Sequence, residues 1–201
     1  MALVKYNNRS ILNVTALGSI ASADMNLITT NTISSGVTSS AFTSNIDSTY
    51  DTYIFKFINI HPSANGENFG FQADTGTNTN YNQTITSTFF EATHGEDGSG
   101  GALSYKTAKD QAQGTGLQSL GQPNNNDDAS ISGTLPLFDP SNSTFVKHFI
   151  ARANLNESST QSDNFIAGYI NTATAITRVQ FKSSSGNIDS GVIKMYGLSK
   201  S

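Results

Sequence analysis

Between residues 144 and 154 the side chains alternate with period two. Phe145, Phe149, Ala151 and Ala153 share one parity with Lys147, while Val146, His148, Ile150 and Arg152 take the other. Only an extended strand sends successive side chains to opposite faces, so a chain built from such segments has to fold as sheets. Residues 52–60 follow the same rule, with Tyr53, Phe55 and Phe57 set against Ile54, Lys56 and Ile58. Their aromatic and β-branched content suits a central strand buried on one face and partly covered on the other. Residues 69–73, 84–92, 131–138, 164–170, 176–182 and 192–198 are further short runs of this kind, bounded by Gly, Asn, Asp, Ser or Pro.

The connections read as reversing turns, as in Ser185-Gly186-Asn187 and Asp74-Thr75-Gly76-Thr77, and no amphipathic helix alternates with the strands. A parallel βαβ architecture is therefore not expected. The expected fold is all-β, two antiparallel sheets packed as a jelly-roll-like β-sandwich over residues 23–201. Residues 1–22 read as an N-terminal arm or docking segment, in which short apolar patches (Leu3-Val4, Ile11-Leu12, Ala16-Leu17) alternate with Asn, Ser and Thr. A weak stripe of Leu103, Ala108 and Ala112 makes 103–113 the one candidate helix, inside the glycine-bounded insert 95–121, and the balance is against it.

Composition then narrows the chemistry. The chain has no Cys and no Trp, which excludes a disulfide framework, a zinc–thiolate site and a cysteine nucleophile. Charged residues are 13% of the chain, with a net charge of −4 and a pI of about 5.2, so the clustered Lys and Arg that bind nucleic acid are missing. No run approaches the length of an apolar membrane span, and no apolar core follows Lys5 and Arg9. Neither a membrane partner nor a signal peptide is expected.

Three histidines leave few candidates for acid–base or metal work. His94, Glu96 and Asp97 are the densest cluster, but such neighbours in a loop converge on an ion only if the loop is tightly held. Asp127 and Asp128 follow Asn124-Asn125-Asn126, and Asp47 and Asp51 flank a turn, yet neither group has the spacing of a calcium loop. Whether either the His94 cluster or the Asp127–Asp128 pair holds a metal ion stays open. His61 and His148 read as structural, and Tyr50, Tyr81 and Tyr105 are candidate platforms for stacking a sugar ring. Gly-X-Ser-X-Gly is absent, Gly98-Ser99-Gly100-Gly101 lacks the Lys of a phosphate loop, and the four Glu show no evident partner across a cleft. No catalytic, cofactor-binding or metal residue is assigned, no cofactor is expected, and the chain reads as no enzyme.

Ser, Thr and Asn fill 71 of the 201 positions. Such short side chains lose little rotamer freedom on ordering, which favours broad, static contacts between subunits and suits a lectin or adhesin surface nearly as well.

Particular strings carry a resemblance. These are the opening Met1-Ala-Leu-Val-Lys-Tyr-Asn-Asn8, Asp47-Ser-Thr-Tyr-Asp51 running into Tyr53-Ile-Phe-Lys-Phe-Ile-Asn-Ile-His-Pro-Ser-Ala64, Leu137-Phe-Asp-Pro-Ser141, and Ala167-Gly-Tyr169. With the ending Gln180-Phe-Lys-Ser-Ser-Ser-Gly-Asn-Ile-Asp-Ser-Gly-Val-Ile-Lys-Met-Tyr-Gly197, they resemble small virion structural proteins of tailed bacteriophages, especially phages of marine bacteria. The resemblance covers nearly the whole chain and is weakest over 91–128. It implies a β-rich subunit on the virion exterior, made in the host bacterial cytoplasm, that decorates or cements the capsid. The alternative it leaves open is a tail-fibre module that binds a host receptor or surface glycan. Its implied partners are major capsid or tail subunits and two further copies in a homotrimer, with Lys5 and Arg9 of the arm as anchors on an acidic neighbour. Heptads and repeats of fixed period are absent, which tilts the choice toward a compact decoration module.

Overall fold

The computed structural model describes residues 25–198, and the expected arm at 1–22 lies outside them. Thirteen strands follow one another: β1 (Met25–Ile33), β2 (Ser40–Phe42), β3 (Thr52–Pro62), β4 (Phe69–Thr75), β5 (Ile85–Gly95), β6 (Ala102–Tyr105), β7 (Ala112–Gly114), β8 (Gln118–Gly121), β9 (Ile131–Phe138), β10 (Lys147–Glu157), β11 (Thr160–Ile170), β12 (Ile176–Ser183) and β13 (Ile188–Leu198). The fold is all-β, as the alternation requires. A nine-stranded sheet runs β1-β13-β3-β9-β10-β11-β5-β6, with β7 also on β5, and a four-stranded sheet runs β2-β12-β4-β8. Every strand pairing is antiparallel.

All eight segments picked out by periodicity are strands, and Ile131–Phe138 has the expected bounds. The central hairpin pairs β10 with β11 over eleven residues each, from Lys147↔Ile170 to Glu157↔Thr160. It closes on a two-residue turn in which Ser158 takes φ +64°, the left-handed conformation that matches the twist of such hairpins. The candidate helix at 103–113 does not form. Its ends are the short strands β6 and β7, and Leu103 and Ala112, two members of the stripe, are exposed. Without a buried face the stripe has nothing to pack against, so the segment adds to the edge of the sheet.

The two sheets meet through aromatic side chains. Tyr53, Phe55 and Phe57 of β3 are wholly buried, as are Phe69 of β4 and Phe181 of β12. Phe181 is the hub, with ring centroids 5.5 Å from Phe55, 6.0 Å from Phe69, 6.2 Å from Phe42 and 6.4 Å from Phe57 and Phe71. Phe71 meets Phe149 of the larger sheet edge to face at 5.0 Å. Edge-to-face and tilted pairs at these separations add to the stabilisation from burial itself.

One inward position departs from this pattern. Phe145 shares parity with the buried residues but is 68% exposed, because β10 begins two residues later, at a Lys147 with no exposed surface. The Asn142 side-chain oxygen accepts the backbone N–H groups of Thr144 and Phe145 at 2.7 and 2.8 Å, holding that stretch in a turn. Lys147 survives burial because its Nζ donates to the carbonyls of Phe145 and Thr172 at 2.7 and 3.0 Å. A neutral amine still carries two hydrogens for those two carbonyls. Burial pushes the Lys147 pKa below its ordinary 10.5, against a smaller upward pull from Asp139.

Across the interval between that lowered value and 10.5 the unfolded chain holds a proton that the folded chain has lost. Stability should therefore rise with pH there. Above pH 10 Tyr53 opposes the rise, since burial first, and the Asp47 carboxylate after it, push the Tyr53 pKa up to about 12. Urea denaturation from pH 7 to 10 should show the upward slope in the wild type and a flatter profile in Lys147→Met.

Candidate functional site

The residues singled out for chemistry are held by local hydrogen bonds and stay apart. In the loop after β5, the Asp97 carboxylate accepts the Ser99 N–H at 2.9 Å, the Glu96 N–H donates to the Ser159 carbonyl at 2.9 Å, and the Glu96 carboxylate accepts from Asn156 at 3.4 Å. His94 stands in register with Gln161 of β11. Asp127 and Asp128 are exposed and line an open concavity of about 580 Å³ with His61, whose Nε2 donates to the Asn126 carbonyl at 3.1 Å. Among the described residues no three His, Asp or Glu side chains gather closely enough to hold a metal ion. Asp47 closes its own turn, accepting from the Thr49 N–H at 2.8 Å and the Tyr53 hydroxyl at 3.2 Å. The hydrogen bonds to Thr49 hold its carboxyl below the usual range.

The three tyrosines proposed for stacking also separate. Tyr50 packs against the core, edge to face with Tyr53 at 5.7 Å, and offers no platform. Tyr81 sits partly exposed in the loop before β5 at φ +47°, held by its N–H to Asp74. Tyr105 stands exposed on β6, edge to face with Phe90 at 5.1 Å.

Tyr105 belongs to the molecule's most distinctive surface, the face of the nine-stranded sheet turned away from the smaller sheet. Among the described residues ten large apolar side chains are substantially exposed, and nine of these lie on this face, Phe145 being the tenth. The register arranges them in rows across the strands. One row reads Thr30, Lys194, Lys56, Thr134, Arg152, Phe165, Phe90, Tyr105 from β1 to β6. The next reads Leu27, Tyr196, Ile54, Pro136, Ile150, Ala167, Thr88. Three of its charges are tied into this surface: Arg152 lies 4.8 Å over the Phe165 ring and pairs with Asp163 at 2.6 Å, and Lys56 lies 5.4 Å from the Tyr196 ring. Single exposed apolar residues are ordinary, whereas apolar area gathered on one face is the kind of surface that protein, ligand and membrane contacts use.

At one end of the face two concavities of about 540 and 490 Å³ share the walls Phe138 and His148 and make a continuous trough. The small side chains Ala167 and Thr88 leave room for it, and Tyr169, 6.1 Å from His148, and Phe145 rise at its sides. Nearby, the Gln113 amide donates to the Thr86 hydroxyl and accepts from Asn171 at 2.8 Å, so a string of amides borders the apolar lining.

Behind β5 the interior turns polar. Glu91, on the inward face, pairs with Lys106 at 2.6 Å and Lys109 at 3.0 Å, with its side chain 4% exposed. Burial alone raises the Glu91 pKa, and the two ammonium groups more than reverse this, leaving it below its ordinary value. Glu157 is pushed upward by burial. Ser87 and Gln118 complete this layer with a 2.6 Å hydrogen bond, and the Gln118 amide also reaches the Lys109 carbonyl at 3.2 Å. These contacts clamp the insert between β6 and β8 to the larger sheet. Parity along 84–92 puts Glu91 on the side of Ile85 and Phe89, which was the available signal for a buried carboxylate.

No protein-family model, no curated protein and no solved structure matches this chain.

Proposed function

We propose that the chain is a non-enzymatic structural subunit on the exterior of a tailed-bacteriophage virion, a capsid-decorating or cement protein. The observation that carries this reading is the outward face of the larger sheet, where nine exposed apolar side chains share one rigid surface. A surface of that kind serves a standing contact between subunits, and the Ser-, Thr- and Asn-rich remainder suits wet rim contacts. The resemblance of its strings to small virion proteins of tailed bacteriophages supplies the setting. On this reading the segment 1–22 docks on a capsid subunit, with Lys5 and Arg9 against acidic groups. Quantitative mass spectrometry of purified virions that encode the chain should find it in stoichiometric proportion to the major capsid protein. Its absence from the particles overturns the reading.

The trough favours a second reading, a tail module that holds a host-surface glycan. Aromatic walls with amides beside them are the means by which proteins stack and orient sugar rings. That reading expects the isolated protein to bind host cells, and expects Phe145→Ala and Tyr169→Ala each to weaken binding by about tenfold, a typical loss for one stacking contact. Equal binding by the variants would remove it.

A further inference from the structure

We propose that the outward face of the nine-stranded sheet is covered by the same face of a second copy of this chain, related by a two-fold axis parallel to the strands and passing between β9 and β10. The proposal rests on the reading of this face as a subunit contact and names its partner. A monomer would overturn the pairing and leave virion incorporation to be judged from the particles.

The strand order supplies the first reason. Along the path β1-β13-β3-β9-β10-β11-β5-β6 the midpoint falls between β9 and β10. A two-fold rotation about an axis there sets β9 over β10, β3 over β11, β13 over β5 and β1 over β6, while each row meets itself reversed. The rows are complementary under that reversal. Lys194 comes over Phe90 of the second copy, a cation above an aromatic face, while Lys56 keeps the Tyr196 ring of its own chain and Phe165 keeps Arg152. In the next row Ile54 falls over Ala167, Tyr196 over Thr88, and Pro136 over Ile150, so bulky side chains meet small ones near the edges and apolar ones meet at the axis.

Charge supplies the second reason. Lys56 and Lys194 are register partners, a like-charge pair directly opposite on adjacent strands that costs stability in a lone sheet. Lys56 lies at the Tyr196 ring of its own chain, and Phe90 of the facing sheet supplies a ring for Lys194. Size supplies the third. Seven strand spacings by four rows make a face of roughly 34 by 20 Å, or roughly 700 Å². That is close to the roughly 800 Å² that each partner contributes to a standard specific interface.

Sedimentation equilibrium on the full chain should give a two-chain mass. Ile150→Glu puts a charge from each copy beside the axis and should weaken association by more than about a hundredfold with an unchanged melting profile, since Ile150 is already 54% exposed. The absence of native cysteine allows a cleaner variant. Ile150→Cys treated with a short bis-maleimide should form a covalent dimer, whereas Asn78→Cys, exposed in a loop remote from the face, should not. Sheets facing each other about 10 Å apart hold the two thiols too far apart for a disulfide but within reach of the linker. A monomeric wild type, a three-chain mass, a dimer indifferent to Ile150→Glu, or a dimer that Ile150→Cys does not cross-link would each overturn the proposal.

Discussion

Phe181→Ala should lower the unfolding free energy by about 3–5 kcal/mol, the range for deleting a large aromatic from a packed core. Phe181 has no exposed surface and touches five phenylalanines from both sheets. Removing its ring leaves a void that Phe42, Phe55 and Phe69 cannot fill together, because their strands are fixed by hydrogen bonds to different neighbours. In urea denaturation the midpoint should fall while the slope stays unchanged, as expected when the same surface is exposed on unfolding. A loss below about 1 kcal/mol would mean that the sheets do not meet at this ring.

Glu91→Ala should cost about 2–4 kcal/mol, because it leaves Lys109, largely buried, without its counter-charge. Lys106 is more exposed and water replaces part of its loss, so the cost stays below that of a fully enclosed pair. The damage should be local first. Hydrogen exchange should accelerate in β6 and the segment up to β8, which the Glu91 contacts hold, before it changes in β3 or β10. The pH dependence follows from the same group. The folded pKa of Glu91 lies below its ordinary 4.5, so its contribution is present above 4.5 and is lost as pH falls below that value. Glu157 acts in the opposite sense: its folded pKa is raised, so it costs stability at neutral pH and the cost is relieved as pH falls toward 4.5. A stability profile from pH 7 to 3 should rise slightly and then fall, and Glu157→Gln should remove the rise while keeping the fall.

The sandwich was legible because burial on one face imposes a period of two wherever a strand is long, as in β3 and β10. The strands β6, β7 and β8 run to three or four residues and carry no such period, which is why the insert read as a weak helix. Phe145 misled for a local reason, since parity continues through a turn that the Asn142 side chain bends out of the strand. The Glu91 clamp joins residues 15 and 18 positions apart through a loop, and no spacing rule reaches across it. The outward face was visible only in part. Ile54, Ile58 and Ile150 announced apolar residues on the second parity, but their assembly into one surface depends on strand order and register, which alternation does not contain.

The central claim is that this outward face is covered by the same face of a second copy. Hydroxyl-radical footprinting of the full chain over a series of rising concentrations tests it most directly, because it reads the aromatic side chains one by one. Oxidation of Phe90, Phe138 and Phe165 should fall together as concentration rises, while Tyr81 in its loop stays equally reactive. Unchanged oxidation of the three phenylalanines at the highest concentration would contradict the claim.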